Sequence, residues 1–195
     1  MGKFKVAVVV GSNRRDSLNR KLAGALARLG EAKLSFTFVR IDDLPLYSQD
    51  LEPDLPASVV RFKSEIAAAD ALLFVTPEHS RSIPAALKNA LDWGGRPYGQ
   101  NSWAGKPAAI TGTSPGAIAT ALAQQHLRQI LGSFLGVLVM SGEAYITFKP
   151  GLVDDDGNVA EESTRAFLQA FVDQFAALVA QVSVRSSAGV RGAAA

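Results

Sequence analysis

Five short apolar runs, each followed by a segment with helical spacing, constrain this sequence more than any other feature. The runs are Phe4–Val10, Ser35–Arg40, Ala71–Thr76, Pro107–Gly112 and Gly136–Val139. Three of these runs are nearly continuous apolar segments, which are typical of parallel strands that are buried on both faces. The segments between and after the runs predict helices at Leu18–Leu29, Ala57–Ala69, Ile83–Asp92, Ala117–Leu131 and about Glu161–Val182.

Strands that alternate with helices of crossover length predict a doubly wound α/β sandwich. Periodicity does not give the strand order, so a flavodoxin-like three-layer sheet and a dinucleotide-binding sheet both remain open. In either arrangement, ligands bind beyond the carboxyl ends of the strands. The loops at 11–19, 77–84 and 112–117 are therefore the candidate site.

The length of 195 residues fits one domain, expected to span 1–184, with a flexible tail at 185–195. The N-terminus is basic and then apolar but has no small-residue cleavage site, so it predicts a buried first strand rather than a signal peptide. No apolar run approaches the roughly 20 residues of a membrane span. These features predict a cytoplasmic protein without membrane insertion.

Metal and nucleic-acid chemistry are disfavoured by composition. The chain has no cysteine, and its two histidines, His79 and His126, lack the spacing of metal ligands, so no metal site is predicted. The net charge is only +2 and the basic residues are scattered, whereas a nucleic-acid binder concentrates them.

The first loop, GSNRRDSLN, has two interpretations. Asp16 or Ser17 can cap the following helix, which makes the loop an ordinary polar turn. A cap does not require Ser12, Arg14 and Asn19 as well, and a helix N-terminus with hydroxyl and guanidinium donors favours a bound phosphate. The spacing matches neither GxxxxGK[ST] nor GxGxxG.

The other two loops are equally polar. Pro77 and Pro84 stiffen the ends of the second loop, and Ser82 is a candidate N-cap for the helix that contains Pro84. His79 has no carboxylate partner at local spacing, which disfavours a role as general base. The third loop, GTSPGA, either allows close approach of the backbone to a flat ligand or simply begins a helix.

Together, the three loops resemble the NADPH-dependent FMN reductase family, in the branch with chromate and quinone reductases and azoreductases. The family's first loop reads G-S-x-R-x-x-S-x-N, its second P-E-Y-N-x-S-x-P followed by L-K-N-A-x-D-W, and its third G-x-S-x-G. Every fixed position of the first and third motifs is matched, and HLRQIL at 126–131 is also similar. In the second motif, His79 replaces tyrosine and Ser80 replaces asparagine.

The resemblance implies a flavodoxin-like α/β fold with a five-stranded parallel sheet of order 2-1-3-4-5, and non-covalent FMN. It places Ser12, Arg14, Ser17 and Asn19 at the FMN phosphate, with Leu18 in the same loop and Arg15 and Asp16 facing solvent. The residues expected to border the flavin ring are Pro77, Glu78, His79, Ser80 and Arg81, with Thr113, Ser114 and Gly116 at its pyrimidine edge.

The resemblance also implies the activity. NADPH or NADH delivers hydride to flavin N5, so no catalytic side chain is required, and a small-molecule acceptor follows in a ping-pong cycle. The acceptors are quinones and, less specifically, chromate or other metal oxyanions, azo compounds or free flavin. The alternatives are a flavodoxin-like electron shuttle, which a net charge of +2 disfavours, an FMN-binding regulator, and a different phosphate-binding enzyme.

The resemblance finally implies a homodimer or homotetramer, with Arg128 and Glu143 at an interface. The segment 92–107 carries Trp93 and Trp103, and aromatic residues of this kind are enriched at interfaces. The same two side chains could equally pack against the core.

Overall fold

Six strands and five α-helices follow one another in the computed structural model, which describes residues 2–154 and 156–192. The strands are β1 Phe4–Val10, β2 Leu34–Val39, β3 Ala71–Val75, β4 Pro107–Ser114, β5 Leu138–Val139 and β6 Tyr145–Thr147. The helices are α1 Leu18–Gly30, α2 Ala57–Ala67, α3 Ala85–Gly95, α4 Ala121–Ser133 and α5 Glu162–Gly192, with a short 3-10 helix at Gln49–Leu51.

The sheet is parallel and has the order β2-β1-β3-β4-β5, which confirms the predicted flavodoxin-like α/β fold. One strand was not predicted. β5 pairs with the beginning of β4 and β6 pairs with its end, where Gly112 lies opposite Tyr145. Two short strands therefore share the fifth position, and three residues of β6 carry too little pattern to be recognised in the sequence.

The side chains of each inner strand alternate between two helical layers. Val8 points to the layer of α1 and α5, where it packs in one cluster with Leu26 and Phe175. Val9 points to the opposite layer of α2, α3 and α4, with Phe62 and Leu127. The carboxyl ends of β1, β3 and β4 therefore open at one edge between two closed layers.

Both tryptophans of the segment 92–107 belong to the core. Trp93 and Trp103 are fully buried. Their indole N–H groups donate to the carbonyls of Pro45 at 2.8 Å and Leu91 at 3.1 Å, respectively. Of the two interpretations of these aromatics, packing against the core is the one that the structure supports.

Some predicted boundaries were wrong. α3 begins at Ala85 with Pro84 at its N-cap position, so Ser82 does not cap it. α4 begins at Ala121 rather than at residue 117, because the chain first makes a turn in which Ala119 has a φ of 50°. α5 was expected to end near Val182 but continues to Gly192, and residues 193–195 lie outside the described residues.

α5 is also long and apolar enough, by length and composition alone, to cross a membrane over Glu162–Val184. Its apolar face nevertheless lies against the sheet. Leu168, Phe175 and Val179 are buried in the layer shared with α1. These contacts are those of a helix that covers the core of an α/β sandwich.

Candidate functional site

The first loop packs tightly against the end of β3 before it enters α1. The N–H of Gly11 donates to the carbonyl of Val75 at 2.9 Å. A Cβ at Gly11 would lie 2.9 Å from the hydroxyl of Thr76, so this position has no room for a larger residue. The loop that follows is consequently held over the carboxyl edge of the sheet.

Ser17 caps α1 and is one of the two residues predicted for this position. Its hydroxyl accepts from the N–H of Arg20 at 3.2 Å. The N–H groups of Leu18 and Asn19 belong to the first turn and have no intrahelical acceptor. Together with the half-exposed Ser12 hydroxyl and the exposed Arg14 guanidinium, they form a set of donors suited to a phosphate.

The side chain of Asn19 links the first loop to the third. Its amide oxygen accepts from the N–H of Thr113 at 2.9 Å, and its amide nitrogen donates to the Thr113 carbonyl at 3.0 Å. Asn19 is 3% exposed, so both bonds are shielded from water. The sequence predicts a phosphate contact for this side chain, whereas the structure engages its amide with the backbone of β4.

The second loop ends in a tight turn with unusual backbone angles. His79 and Ser82 exchange two backbone hydrogen bonds of 3.0 and 2.9 Å. The two residues between them, Ser80 and Arg81, have φ angles of 49° and 64°. This left-handed region is unfavourable for residues with a Cβ, so the turn holds two strained residues at the tip of the loop.

Glu78 joins the second loop to α4. One of its carboxylate oxygens accepts from the N–H groups of Leu122 and Ala123 at 3.0 and 3.1 Å. The other pairs with Arg81 at 3.0 Å, although the Glu78 side chain is only 6% exposed. Glu78 therefore caps the N-terminus of a helix that follows the third loop, a role that no local sequence signal indicates.

The third loop leaves an open cleft opposite the second. The Thr113 hydroxyl is buried and donates to the carbonyl of Ile146 at 2.8 Å, while the Ser114 hydroxyl accepts from the N–H of Gly116 at 3.2 Å. A Cβ at Gly116 would meet only that hydroxyl, at 3.6 Å. The cleft measures about 500 Å³ and is lined by Glu78, Ser80, Arg81, Ser114 and 116–119.

The two histidines differ in their contacts. His79 is exposed, and its ring has no hydrogen bond or ion pair among the residues described. His126, on α4, lies 2.7 Å from the Ser82 hydroxyl through Nδ1. The sequence offered no signal for this pair, because 44 residues separate its members.

Arg128 and Glu143, expected at an interface, lie near each other without a direct ion pair. Arg128 donates to the carbonyls of Met140 and Gly142 at 2.6 and 2.8 Å. Glu143 accepts from Gln125 at 2.7 Å. Hydrogen bonding to Tyr145 and Gln125 lowers the pKa of Glu143 below its ordinary value.

A second group of charges lies beside the first loop, at the end of β2. Arg40 donates to the Asp42 carboxylate at 2.8 Å, and this bond lowers the pKa of Asp42. Arg20 lies with its guanidinium 5.4 Å from the centre of the Phe38 ring. Arg20, Arg40 and Asp42 were not predicted as site residues, although an arginine that directly follows a strand, as Arg40 follows β2, is visible in the sequence.

The donors and the cleft fit FMN in kind. The phosphate end of FMN requires hydrogen-bond donors and positive charge, which the first loop provides. Its flat ring requires an open slot of the size usual for small-molecule sites, about 300–1,000 Å³, and the cleft between the second and third loops falls within that range. Among the described residues, no group of three His, Cys, Asp or Glu side chains could hold a metal ion.

Comparison with known proteins points to one family. Residues 4–150 match the family model for NADPH-dependent FMN reductases. The chain is 54% identical over 176 residues to a 2-hydroxy-1,4-benzoquinone reductase of Burkholderia sp., covering 90% of this chain and 96% of the relative. It is 51% identical over 178 residues to a quinone reductase of Pseudomonas putida, covering 90% and 95%.

A solved structure is similarly close. The flavoenzyme NAD(P)H:(acceptor) oxidoreductase FerB from Paracoccus denitrificans superposes with a TM-score of 0.88 and 50% sequence identity. The match covers 91% of this chain and 98% of that chain. The residues matched by the family model, 4–150, include all three loops.

Proposed function

Because the chain belongs to the NADPH-dependent FMN reductase family, we propose that it transfers electrons from NAD(P)H through bound FMN to quinones. It is an oxidoreductase of the NAD(P)H-dependent FMN reductase and quinone reductase type, with FMN as cofactor and NAD(P)H as co-substrate. We also propose which residues form the site, the order of the steps and the range of acceptors.

One observation carries the assignment of the site. The two hydrogen bonds between Asn19 and Thr113 fix the donor-rich first loop against β4, directly before the cleft at Ser114 and Gly116. Glu78 fixes the other wall of the cleft to α4. A phosphate cradle and a ring slot are thus held in one rigid arrangement, as a ligand with both parts requires.

When bound, FMN supplies the redox chemistry, since its ring accepts a hydride at N5 and returns two electrons to an acceptor. Ser12, Arg14 and Ser17, with the N–H groups of the first turn of α1, hold the phosphate. Asn19 positions this loop. Pro77, Glu78, His79, Ser80 and Arg81 border the ring on one side, and Thr113, Ser114 and Gly116 border it on the other.

The nicotinamide and the acceptor use the same cleft in turn, which makes the cycle ping-pong. The cleft lies between the second and third loops. Arg81 stands at its mouth with a side chain that is 68% exposed, so it attracts anionic ligands. No side chain has to act as acid or base, because protons reach the cleft from water.

Quinones are the main acceptors in this proposal, and chromate or other metal oxyanions, azo compounds and free flavin are less specific ones. An open, solvent-accessible cleft selects weakly by shape, which supports a broad range. We further propose that the protein is cytoplasmic and assembles as a homodimer or homotetramer. The exposed Ile118 and Leu122, beside the cleft, offer apolar surface for such an assembly.

The test is the absorption spectrum of the FMN-loaded protein before and after NADPH is added without oxygen. We expect bleaching of the flavin band, followed by its recovery when a benzoquinone is added. If neither NADPH nor NADH bleaches the band, the protein is a shuttle or an FMN-binding regulator instead. If the colourless protein takes up no FMN at all, the cofactor assignment fails.

The phosphate cradle has its own test. Replacing both Arg14 and Ser17 by alanine is expected to weaken FMN binding by at least tenfold, because charge-assisted hydrogen bonds to the phosphate are lost. Arg165→Ala is the matched control, since Arg165 pairs with Glu162 on α5. Equal FMN affinity of the double variant and the control would remove the cradle from the proposal.

A further inference from the structure

A cavity of about 340 Å³ lies beside the first loop, between the ends of β1 and β2. Its charged lining consists of Arg14, Arg15, Arg20, Arg40 and Asp42, which we call the arginine pocket. Val39, the last residue of β2, and Ile41, two residues later, also line it. None of its lining residues belongs to the second or third loop, so the pocket is separate from the ring cleft.

The positive charge of the arginine pocket is only partly balanced. Arg40 pairs with Asp42 at 2.8 Å, and Arg20 lies over the Phe38 ring. Arg14 and Arg15 form no ion pair within the part of the chain that the structure describes, and both are exposed. The lining therefore contains four arginines and one aspartate, an excess of positive charge that a bound anion would stabilise.

Asp43 does not neutralise this excess. Its carboxylate lies 3.9 Å from Arg40 but accepts two hydrogen bonds from Arg61, at 2.9 and 3.2 Å. Arg61 also donates to the carbonyl of Arg40 at 3.1 Å, which fixes the backbone after β2. Asp43 is thus bound to Arg61, and Asp42 is the acidic residue that lines the pocket.

The pocket overlaps the proposed cradle for the FMN phosphate only at Ser12 and Arg14. Ser17, Leu18 and Asn19 are absent from its lining, whereas Arg20, in the first turn of α1, belongs to it. The pocket lies on the β2 side of the first loop, and the ring cleft lies on the β3 and β4 side. A ligand that reaches both must cross two to three strand spacings, about 10–15 Å at the usual separation.

We propose that the arginine pocket binds the adenosine end of the nicotinamide coenzyme, and that Arg40 and Asp42 set the preference between NADPH and NADH. This inference rests on the proposed function, because it assumes that the nicotinamide reaches the ring cleft. A dinucleotide has the length to span the two regions, and its adenosine carries the one group by which the coenzymes differ, the 2′-phosphate or the 2′-hydroxyl.

The chemistry of Arg40 and Asp42 fits a role in the choice between NADPH and NADH. Arginine forms bidentate, charge-assisted bonds with a phosphate monoester, whereas a carboxylate accepts from a ribose hydroxyl and repels a phosphate. The same pairing of residue types at the end of a second strand distinguishes the coenzymes in other doubly wound folds.

Two opposite substitutions test the inference on the FMN-loaded protein. For Arg40→Ala, we expect the ratio of KM for NADPH to KM for NADH to rise about tenfold. For Asp42→Asn, we expect the ratio to fall, because repulsion of the 2′-phosphate is removed. Arg165→Ala, remote from the pocket, serves as the control and should leave the ratio unchanged. Ratios that do not move, or that move in the same direction in both variants, would overturn the inference.

A binding measurement keeps this test independent of turnover. Calorimetry on the FMN-loaded protein should show that adenosine 2′,5′-bisphosphate binds more tightly than adenosine 5′-monophosphate, and that Arg40→Ala removes the difference. Displacement of FMN by the bisphosphate would mean that the pocket serves the FMN phosphate, and equal affinity for both nucleotides would also contradict the inference. If the bisphosphate binds as expected but no coenzyme is oxidised, the proposed function fails while the nucleotide site stands.

Discussion

Asn19 and the backbone of Thr113 form a reciprocal pair of hydrogen bonds across 94 positions of the chain. One residue begins α1 and the other ends β4, so the pair connects the first and third loops of the site directly. Because Asn19 is almost fully buried, water cannot replace the amide if the side chain is removed. The alignment of the two loops therefore depends on one side chain.

Asn19→Ala should lower the free energy of unfolding by about 2–4 kcal/mol, because it leaves a buried N–H and a buried carbonyl without partners. FMN affinity should fall with it, since the first loop loses its anchor. Chemical denaturation of the apoprotein and fluorescence titration with FMN measure the two effects separately. The control is Asn89→Ala, which removes hydrogen bonds to Tyr47 and Pro45 away from the site. It should destabilise the fold without the same loss of FMN affinity, and equal losses would contradict the anchoring role.

Glu78→Ala should lower the free energy of unfolding by about 1–3 kcal/mol, because two N–H groups at the start of α4 lose their acceptor. Glu78→Gln keeps an acceptor oxygen but loses the charge that favours a helix N-terminus, so its cost should be smaller, about 0.5–1 kcal/mol. Thermal and urea unfolding of the two variants check this order.

Asp92→Asn is the matched control for Glu78. Asp92 pairs with Lys88 on the surface of α3, and such exposed pairs contribute no more than about 0.5 kcal/mol. If Glu78→Gln costs no more than Asp92→Asn, the carboxylate does not act as a helix cap.

The parts of this molecule that follow local patterns could be predicted from sequence. The apolar run at Phe4–Val10 and the N-cap at Ser17 are such cases, because burial on both faces and capping leave marks within a few residues. The polar loops could be assigned to one edge of the sheet for the same reason. Their order along the sheet required the family resemblance.

Contacts between distant segments could not be predicted. Ser82 was expected to cap α3, but its hydroxyl instead meets His126, and nothing near Ser82 encodes that partner. Glu78 caps a helix that begins more than forty positions later. The arginine pocket was missed because its charges come from both ends of the α1–β2 segment and meet only after the strands pair.

Ser80→Asn should stabilise the second loop. Ser80 has a φ of 49° in a two-residue turn, a conformation that asparagine adopts at lower cost than serine. We expect the free energy of unfolding to rise by about 0.5–1 kcal/mol. Ser133→Asn is the control, because Ser133 ends α4 without a positive φ. A gain of the same size in the control, or no gain in Ser80→Asn, would mean that the turn stores no strain.

Acid should destabilise the fold through carboxylates that are hydrogen-bonded in the native state. Lys33 donates a hydrogen bond of 2.8 Å to the Asp173 carboxylate. This bond lowers the pKa of Asp173 below its value in the unfolded chain. The unfolded state therefore binds more protons at low pH, and the stability present above about pH 4 is lost as the pH falls through the lowered pKa. Hydrogen bonds from Arg40 and Asn158 lower the pKa of Asp42 and Asp154 in the same direction.

Urea unfolding between pH 6 and pH 2.5 measures this loss. Asp173→Asn should make the free energy of unfolding fall less steeply with acidification, because one titrating group is removed. Lys33→Met should reduce the slope similarly, since without its hydrogen-bond donor Asp173 titrates nearer to its ordinary pKa in the native state. Curves parallel to that of the unsubstituted protein in both variants would show that the Lys33–Asp173 pair contributes nothing to acid sensitivity.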